Sequence, residues 1–459
     1  MTSRARSLHD ATTLMRKILL AAALLAACHG NDPANGGPGT ASSAPSTTPS
    51  TVPSGSDTAA APAPTPGSAG SATAVARADG SAASKPATPP APPVAASQTP
   101  EPPLAGHDFT PDAKMLMVVG ACGDGEAPAD FPKKLLDAHC ADIKKAQADY
   151  VEKWVTPASA FFEQHVPKDI PKVVVYPFAG GDLSTALTVY PDADEITTIS
   201  LEPAGDPRPM GILKGGDLER AMNKVAYELK FLYRVNFSNT LNMIDAMRSG
   251  AVPTEVMFGL SALKVHGYEL LSLRYFKIND DGAVHYLDDA DLAKAPDPKT
   301  SAEHRNRVFA NYELRFKKPG GREQVYRHIQ QNLDNEHLTK EKATLAYLNA
   351  RPAKIAAMTK AASYLLSYDG FSTLRDFLTS HAVWMVSDAT GIAPKWGKPA
   401  GFEYETYGAF VGPHIPAGGG ISKDWRTEFE SEPTRELPFR FGYYDKKNQN
   451  HLIIIKKKS

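Results

Sequence analysis

The chain has 459 residues, with 50 lysines and arginines against 51 aspartates and glutamates and a formal net charge of −1 at pH 7. That length admits two ordinary domains, and the near-neutral balance gives no support to nucleic-acid binding or to attraction by an acidic membrane surface. Composition assigns the first hundred residues to no core, which leaves about 350 residues to fold.

Arg16 and Lys17 precede an apolar run over 18–27, which has the length of a signal-peptide hydrophobic region and is too short for a membrane span. The run ends Leu25-Ala26-Ala27-Cys28 and resembles the lipobox of bacterial lipoproteins, in which the cysteine is acylated and becomes the new N-terminus. The resemblance implies a lipoprotein signal peptide over 1–28, lipidation at Cys28 and anchorage of an exported protein to a bacterial membrane. Residues 1–14 are polar and add nothing to such a signal, so Met15 is the expected start. By the bacterial sorting convention His29, rather than Asp, after the lipid cysteine implies the outer membrane.

From 29 to 103 the chain is Ala, Pro, Ser, Thr and Gly with no aromatic residue. Such a segment cannot bury enough apolar surface to offset chain entropy, which predicts a disordered tether. As a flexible coil its ends would average on the order of 50 Å apart. Residues 104–459 are then the globular body, with a sub-boundary expected near 290–305.

With Cys28 spent on lipid, Cys122 and Cys140 remain, an even count in an oxidising compartment, so a disulfide between them is the default. Two free thiols or a metal site are the alternatives. One nearby histidine, His139, and no Cys-x-x-Cys pair give zinc little support, and no metal or cofactor is expected. A strand is expected at 115–119. Leu135, Leu136, Ile143, Ala146, Tyr150 and Trp154 recur at helical spacing, which predicts a helix over 132–165 interrupted near Pro157.

The stretch 171–202 carries the clearest pattern in the chain. Val173, Val174, Val175 and Tyr176 form a short β-branched and aromatic run. Gly180 and Gly181 permit a sharp turn and Asp182 is placed to cap the next element. Leu183, Ala186, Leu187 and Tyr190 then fall at i, i+3, i+4 and i+7, one stripe of a helix, which Pro191 stops. A second strand over 196–201 ends on Glu202. Further on, helices are expected over 218–238, 240–248 and 253–266, and hairpins pair 268–278 with 283–287 and 312–316 with 324–329. Helices are predicted at 340–348, 352–368 and 371–384, a long packed loop at 396–425, and a closing hairpin of 439–444 with 452–455. The fold class is mixed α/β: a β-α-β unit followed by helices and antiparallel hairpins.

That unit, with its glycine turn and an acid ending the second strand, resembles the first unit of Rossmann-like nucleotide and S-adenosylmethionine binding folds. The resemblance implies that Gly180, Gly181 and Asp182 approach a ligand and that Glu202 takes ribose hydroxyls. The chain departs from the family pattern by placing Tyr176-Pro-Phe-Ala179 where spaced glycines would stand. Ser261-Ala-Leu-Lys264 matches the Ser-x-x-Lys of penicillin-binding proteins, yet no Ser-Asp-Asn or Lys-Thr-Gly follows. His-Glu-x-x-His and Gly-x-Ser-x-Gly are absent from the sequence; His381 reads as a core residue and Asp369 as part of a turn.

Four stretches, Tyr176-Pro-Phe-Ala-Gly-Gly-Asp182, Leu201-Glu-Pro203, Tyr368-Asp-Gly-Phe-Ser-Thr-Leu374 and Leu437-Pro-Phe-Arg-Phe-Gly-Tyr443, resemble a family of exported bacterial proteins without assigned activity. The similarity spans about residue 150 to the end; Ala179 and Gly181 stand where that family would have Ser and Pro. No catalytic residue is assigned. The expected function is non-catalytic binding of an envelope protein or cell-wall component beside Gly180 and Glu202. The competing expectation is an enzyme or small-ligand binder using Asp182 and Glu202 in the same cleft.

Overall fold

The computed structural model describes residues 105–235, 252–412, 419–442 and 449–458. The expected signal peptide with Cys28, the tether expected over 29–103 and the helix expected over 240–248 lie outside the described residues. The described residues belong to one compact unit.

Ten strands make one sheet: β1 Val173–Pro177, β2 Glu195–Ser200, β3 Glu269–Ile278, β4 Val284–Tyr286, β5 Asn311–Lys317, β6 Glu323–Gln330, β7 Ile355–Thr359, β8 Ala382–Ser387, β9 Phe402–Ala409 and β10 Asn450–Lys457. Their spatial order is β4-β3-β5-β6-β2-β1-β7-β8-β10-β9. The five central strands, from β6 to β8, run parallel, and antiparallel strands extend both sides. Strands covered on both faces read as apolar runs rather than alternating ones, as in β1, β8 and β7, whose residues Ile355 to Thr359 are all buried; β2 and β6 carry more polar residues.

Helices α1 Thr110–Val119, α2 Lys133–Tyr150, α3 Thr156–His165, α4 Leu183–Val189, α5 Gly215–Val235 and α6 Thr254–Val265 cover one face. They share a core with Val174 and Tyr176 of β1. Helices α7 Asn335–Lys340, α8 Lys342–Asn349, α9 Ser372–His381 and α10 Gly419–Glu430 cover the other, against Val175 and Ile199. The result is a mixed α/β fold, as the sequence predicted, with the sheet between two layers of helices.

The β-α-β unit forms as expected, with β1 and β2 parallel and in register from Val173/Glu195 to Pro177/Ile199. The two expected hairpins form as β3/β4 and β5/β6. Residues 290–305 lie between β4 and β5, and β3 pairs with β5, so the sheet continues across the sub-boundary expected there.

Other expectations are corrected. Residues 115–119 are helical, not a strand: Pro111 and Asp112 open α1, and Ala113, Leu116 and Val119 bury one stripe. The 352–368 segment is not a helix but β7 followed by a 3-10 turn, because a five-residue apolar run fits a buried strand as well as a helix and the gap between β1 and β8 decides. The helix expected over 371–384 ends at His381 and passes directly into β8. The packed loop at 396–425 holds β9 and the start of α10, and β10 pairs with β8 and β9 instead of closing a hairpin on 439–441.

The helix expected over 132–165 is interrupted by a π-turn, Val151–Val155, just before Pro157. Proline supplies no N–H to the carbonyl four residues back, and a wider turn absorbs the mismatch. Cys122 and Cys140 form the expected disulfide, with a Cα–Cα distance of 5.4 Å. His139 meets the Gly120 carbonyl at 2.9 Å and Gln147 donates to the Ala121 carbonyl, so α2 side chains satisfy the carbonyls of the two residues that follow α1.

Candidate functional site

The order of connections reverses at β1. From β1 the chain crosses through α4 to β2 on one side, and it later returns to β7 on the other, both parallel to β1. Where crossovers leave in opposite directions, the loops at the carboxyl ends of the strands part and open a crevice. Both strands here end on a non-glycine residue in the left-handed region close by, Phe178 at φ 59° and Ala361 at φ 53°. Such strain costs about 1–3 kcal/mol each and persists where surrounding contacts impose it.

Those contacts are polar and buried. Asp182, after β1, accepts from the Tyr176 hydroxyl at 2.9 Å, the Thr185 hydroxyl at 2.6 Å and Lys360 Nζ at 2.9 Å. Lys360 follows β7, and both side chains are only 2% exposed. The Lys360 backbone N–H donates to Ser363 Oγ, and the Ala361 N–H donates to Asp388 Oδ2 after β8. Three neighbouring parallel strands thus end in a connected set of buried charges. Burial, and after it the Asp182 carboxylate, push the Tyr150 and Tyr176 phenols well above their ordinary range, so both are held as neutral hydroxyls.

Above this set lies a cleft of about 510 Å³. One wall is α2 and its π-turn, supplying Asp149, Tyr150, Lys153 and Trp154; the other is α5, supplying Lys230, Tyr233 and Arg234. Lys360, Arg440 and Phe441 complete it. The Tyr150 and Trp154 rings are parallel within 1° at 5.5 Å, Tyr233 is 5.2 Å from Tyr150, and Lys360 Nζ is 5.5 Å from the Phe441 ring centre. Trp154 Nε1 donates to the Arg440 carbonyl at 2.6 Å, which fixes the ring. Lys153 pairs with Asp149, and Lys230 with Asp142. Among the described residues, the lining carries five cations, Lys153, Lys230, Arg234, Lys360 and Arg440, and one carboxylate, Asp149, with Asp142 and Asp182 paired to two of the cations from behind.

Of the residues singled out in sequence, Asp182 reaches this edge, but it does not cap α4 through its side chain; its oxygens go to two hydroxyls and an ammonium. Gly180 has φ 50°, the turn conformation expected of it. Gly181 serves packing: a Cβ there would lie 2.0 Å from the Phe258 ring of α6. Glu202 is 2% exposed, and neither it nor Asp182 lines the cleft. The acid/base pair expected of these two carboxylates is therefore not presented to a substrate.

Glu202 belongs instead to a buried group with Glu255 and His328. His328 Nε2 donates to the Glu202 carbonyl at 2.7 Å, and its Nδ1 lies 3.6 Å from Glu255 Oε2. Both Glu255 oxygens lack a hydrogen bond within the described residues. Burial, with the Glu202 carboxylate second, pushes the Glu255 acid well above its ordinary 4.5, and burial pushes His328 down to about 4. A carboxyl raised in the folded state binds its proton more tightly there than in the unfolded chain, so its contribution to stability declines as pH rises above 4.5. Glu255→Gln should therefore gain stability relative to the parent protein as pH rises through that range, read from urea unfolding at several pH values. Parallel stability curves for the two proteins would refute the shift.

Ser261 is fully buried and bonds the Tyr233 hydroxyl, while Lys264 turns outward to Asp124, so the Ser-x-x-Lys pair does not assemble. Ser184 does meet a histidine, with Oγ 3.0 Å from His266 Nε2 and 3.1 Å from the Tyr150 hydroxyl, but at 1% exposure it is not offered as a nucleophile. His381 stacks on Phe377 but is half-buried at the end of α9 rather than in the core, whereas Asp369 lies in a 3-10 turn, as expected. Among the described residues, no group of three or more His, Cys, Asp or Glu side chains is arranged to hold a metal ion.

Sequence reading missed Lys360, Asp388 and the lining residues Tyr150, Lys153, Trp154 and Arg234. A signal existed for some of them. Arg440, Phe441 and Gly442 sit in the closing Leu437–Tyr443 stretch already singled out, and Phe178 and Phe371, from two other such stretches, meet at 5.8 Å. No protein-family model, curated protein or solved structure matches the chain.

Proposed function

We propose that the chain is an exported protein, held to a bacterial membrane by lipid at Cys28, whose folded body binds a small anionic molecule in the cleft above β1 and β7. The observation that carries the binding reading is the excess of cations around an aromatic-walled cleft at the point where strand order reverses. Ligands enter open α/β sheets at that point because the parted loops leave backbone and side chains free to turn toward them. The reading is one of binding rather than catalysis, since the acidic groups nearest the strand ends, Asp182 and Asp388, are spent on internal partners.

The test is a thermal-shift screen of the protein against small organic anions, repeated with Arg234→Gln and Lys153→Gln, two exposed cleft residues. A ligand at a hundred times its dissociation constant stabilises by about 2.7 kcal/mol, and the shift should shrink in both variants and at high salt. Shifts that persist unchanged in both would place binding elsewhere. For the anchor, Cys28→Ala should move the protein from the membrane fraction to the soluble one; retention in the membrane would exclude the lipid.

A further inference from the structure

Resting on the cleft as an anion site, we infer that its ligand is a hydroxyl-poor aromatic or heteroaromatic acid, and not a nucleotide or a sugar acid. The argument begins with the hydrogen-bonding character of the lining. Lys153, Lys230, Arg234, Lys360 and Arg440 can only donate, and Asp149, the one carboxylate among the described lining residues, is already paired with Lys153. The described lining contains no Asn, Gln, Ser or Thr side chain. A sugar acid or a ribose presents several hydroxyl hydrogens that each need an acceptor, and the acceptors of the described lining, Asp149 and the Tyr150 and Tyr233 hydroxyls, are already engaged by Lys153, Ser184, Gln147 and Ser261. A carboxylate presents only acceptors and meets that lining without loss.

The remaining walls are aromatic. Tyr150, Trp154, Tyr233 and Phe441 line the cleft, with Tyr150 and Trp154 parallel. Each of the four is 7% exposed or less, so together they form a narrow aromatic floor on which a planar ring can rest while its carboxylate meets the cations, whereas a flexible aliphatic acid must give up more rotational freedom for the same contact.

Two features that would favour a nucleotide are absent where they would be needed. In the glycine turn the Phe258 ring packs directly on Gly181, so that glycine is spent on packing and not on a close approach to a pyrophosphate. Glu202, the residue positioned in sequence to take a ribose, is buried away from the cleft. Arg234 adds a positive reason: its guanidinium stands 5.6 Å from the Phe231 ring and has no carboxylate partner among the described residues. A bidentate carboxylate fits such a group at the cleft mouth.

The experiment is calorimetric titration of the full-length protein with four probes: indole-3-acetate, benzene-1,3-dicarboxylate, glucuronate and adenosine monophosphate. The aromatic acids should bind at least about tenfold more tightly than the other two, and Arg234→Gln should weaken them by about tenfold while leaving the melting temperature of the free protein unchanged. If glucuronate or the nucleotide binds as tightly as the aromatic acids and is weakened by Arg234→Gln, the ligand class is wrong and the cleft reading stands. If none of the four binds, the cleft as a small-anion site falls with it.

Discussion

Lys360→Ala is expected to destabilise the protein by about 3–5 kcal/mol, more than any other single change at the cleft, because it strands the Asp182 carboxylate in a site where neither partner is more than 2% exposed. Attraction across 2.9 Å offsets the cost of removing both charges from water only while both are present. Tyr176 and Thr185 would keep their bonds to Asp182, but two neutral hydroxyls do not replace an ammonium. A double variant, Asp182→Asn with Lys360→Met, removes both charges and should recover most of the loss. Urea unfolding of the two single variants and the double gives the coupling directly. A Lys360→Ala cost below about 1 kcal/mol would mean that water reaches the pair and that the strand ends are not held by it.

Replacing both Cys122 and Cys140 with Ala is expected to cost about 3 kcal/mol, the loop-entropy estimate for a bridge closing 18 residues of chain. The bridge ties the end of α1 to α2, and α2 carries Tyr150 at its far end in the cleft wall. His139 and Gln147 bond the Gly120 and Ala121 carbonyls just after α1 independently of the bridge, so the helix should stay docked in the folded variant. The expected pattern is therefore a lower melting temperature with ligand affinity at the cleft nearly unchanged. A melting curve that does not respond to reducing agent would show that the bridge contributes nothing. Loss of binding in a folded variant would show that the bridge sets the wall itself.

What the sequence made legible follows distance along the chain. The β-α-β unit, the two hairpins, α5 and α6 each declare themselves within some thirty residues, through β-branched runs, turn residues and a 3.6-residue period. The disulfide was legible for a different reason: after Cys28, only two cysteines remained to be paired. The reading failed where a short apolar run has no period of its own. Ile355-Ala-Ala-Met-Thr359 fits a helix or a strand equally, and only its insertion between β1 and β8 makes it a strand.

The site divides along the same line. Sequence alone determined the turn at Gly180 to Asp182, because sharp turns and helix starts are local chemistry. It also misjudged the purpose of that turn, since nothing local to Gly181 says that Phe258, some eighty residues later, fills the space beside it. Lys360 has no sequence mark at all; it becomes a partner for Asp182 only because β7 is laid next to β1, across 178 residues of chain. The choice of strand neighbours is made by the whole sheet burying both its faces at once, and that choice, which no local pattern encodes, is what brings five cations and four aromatic rings around one cleft.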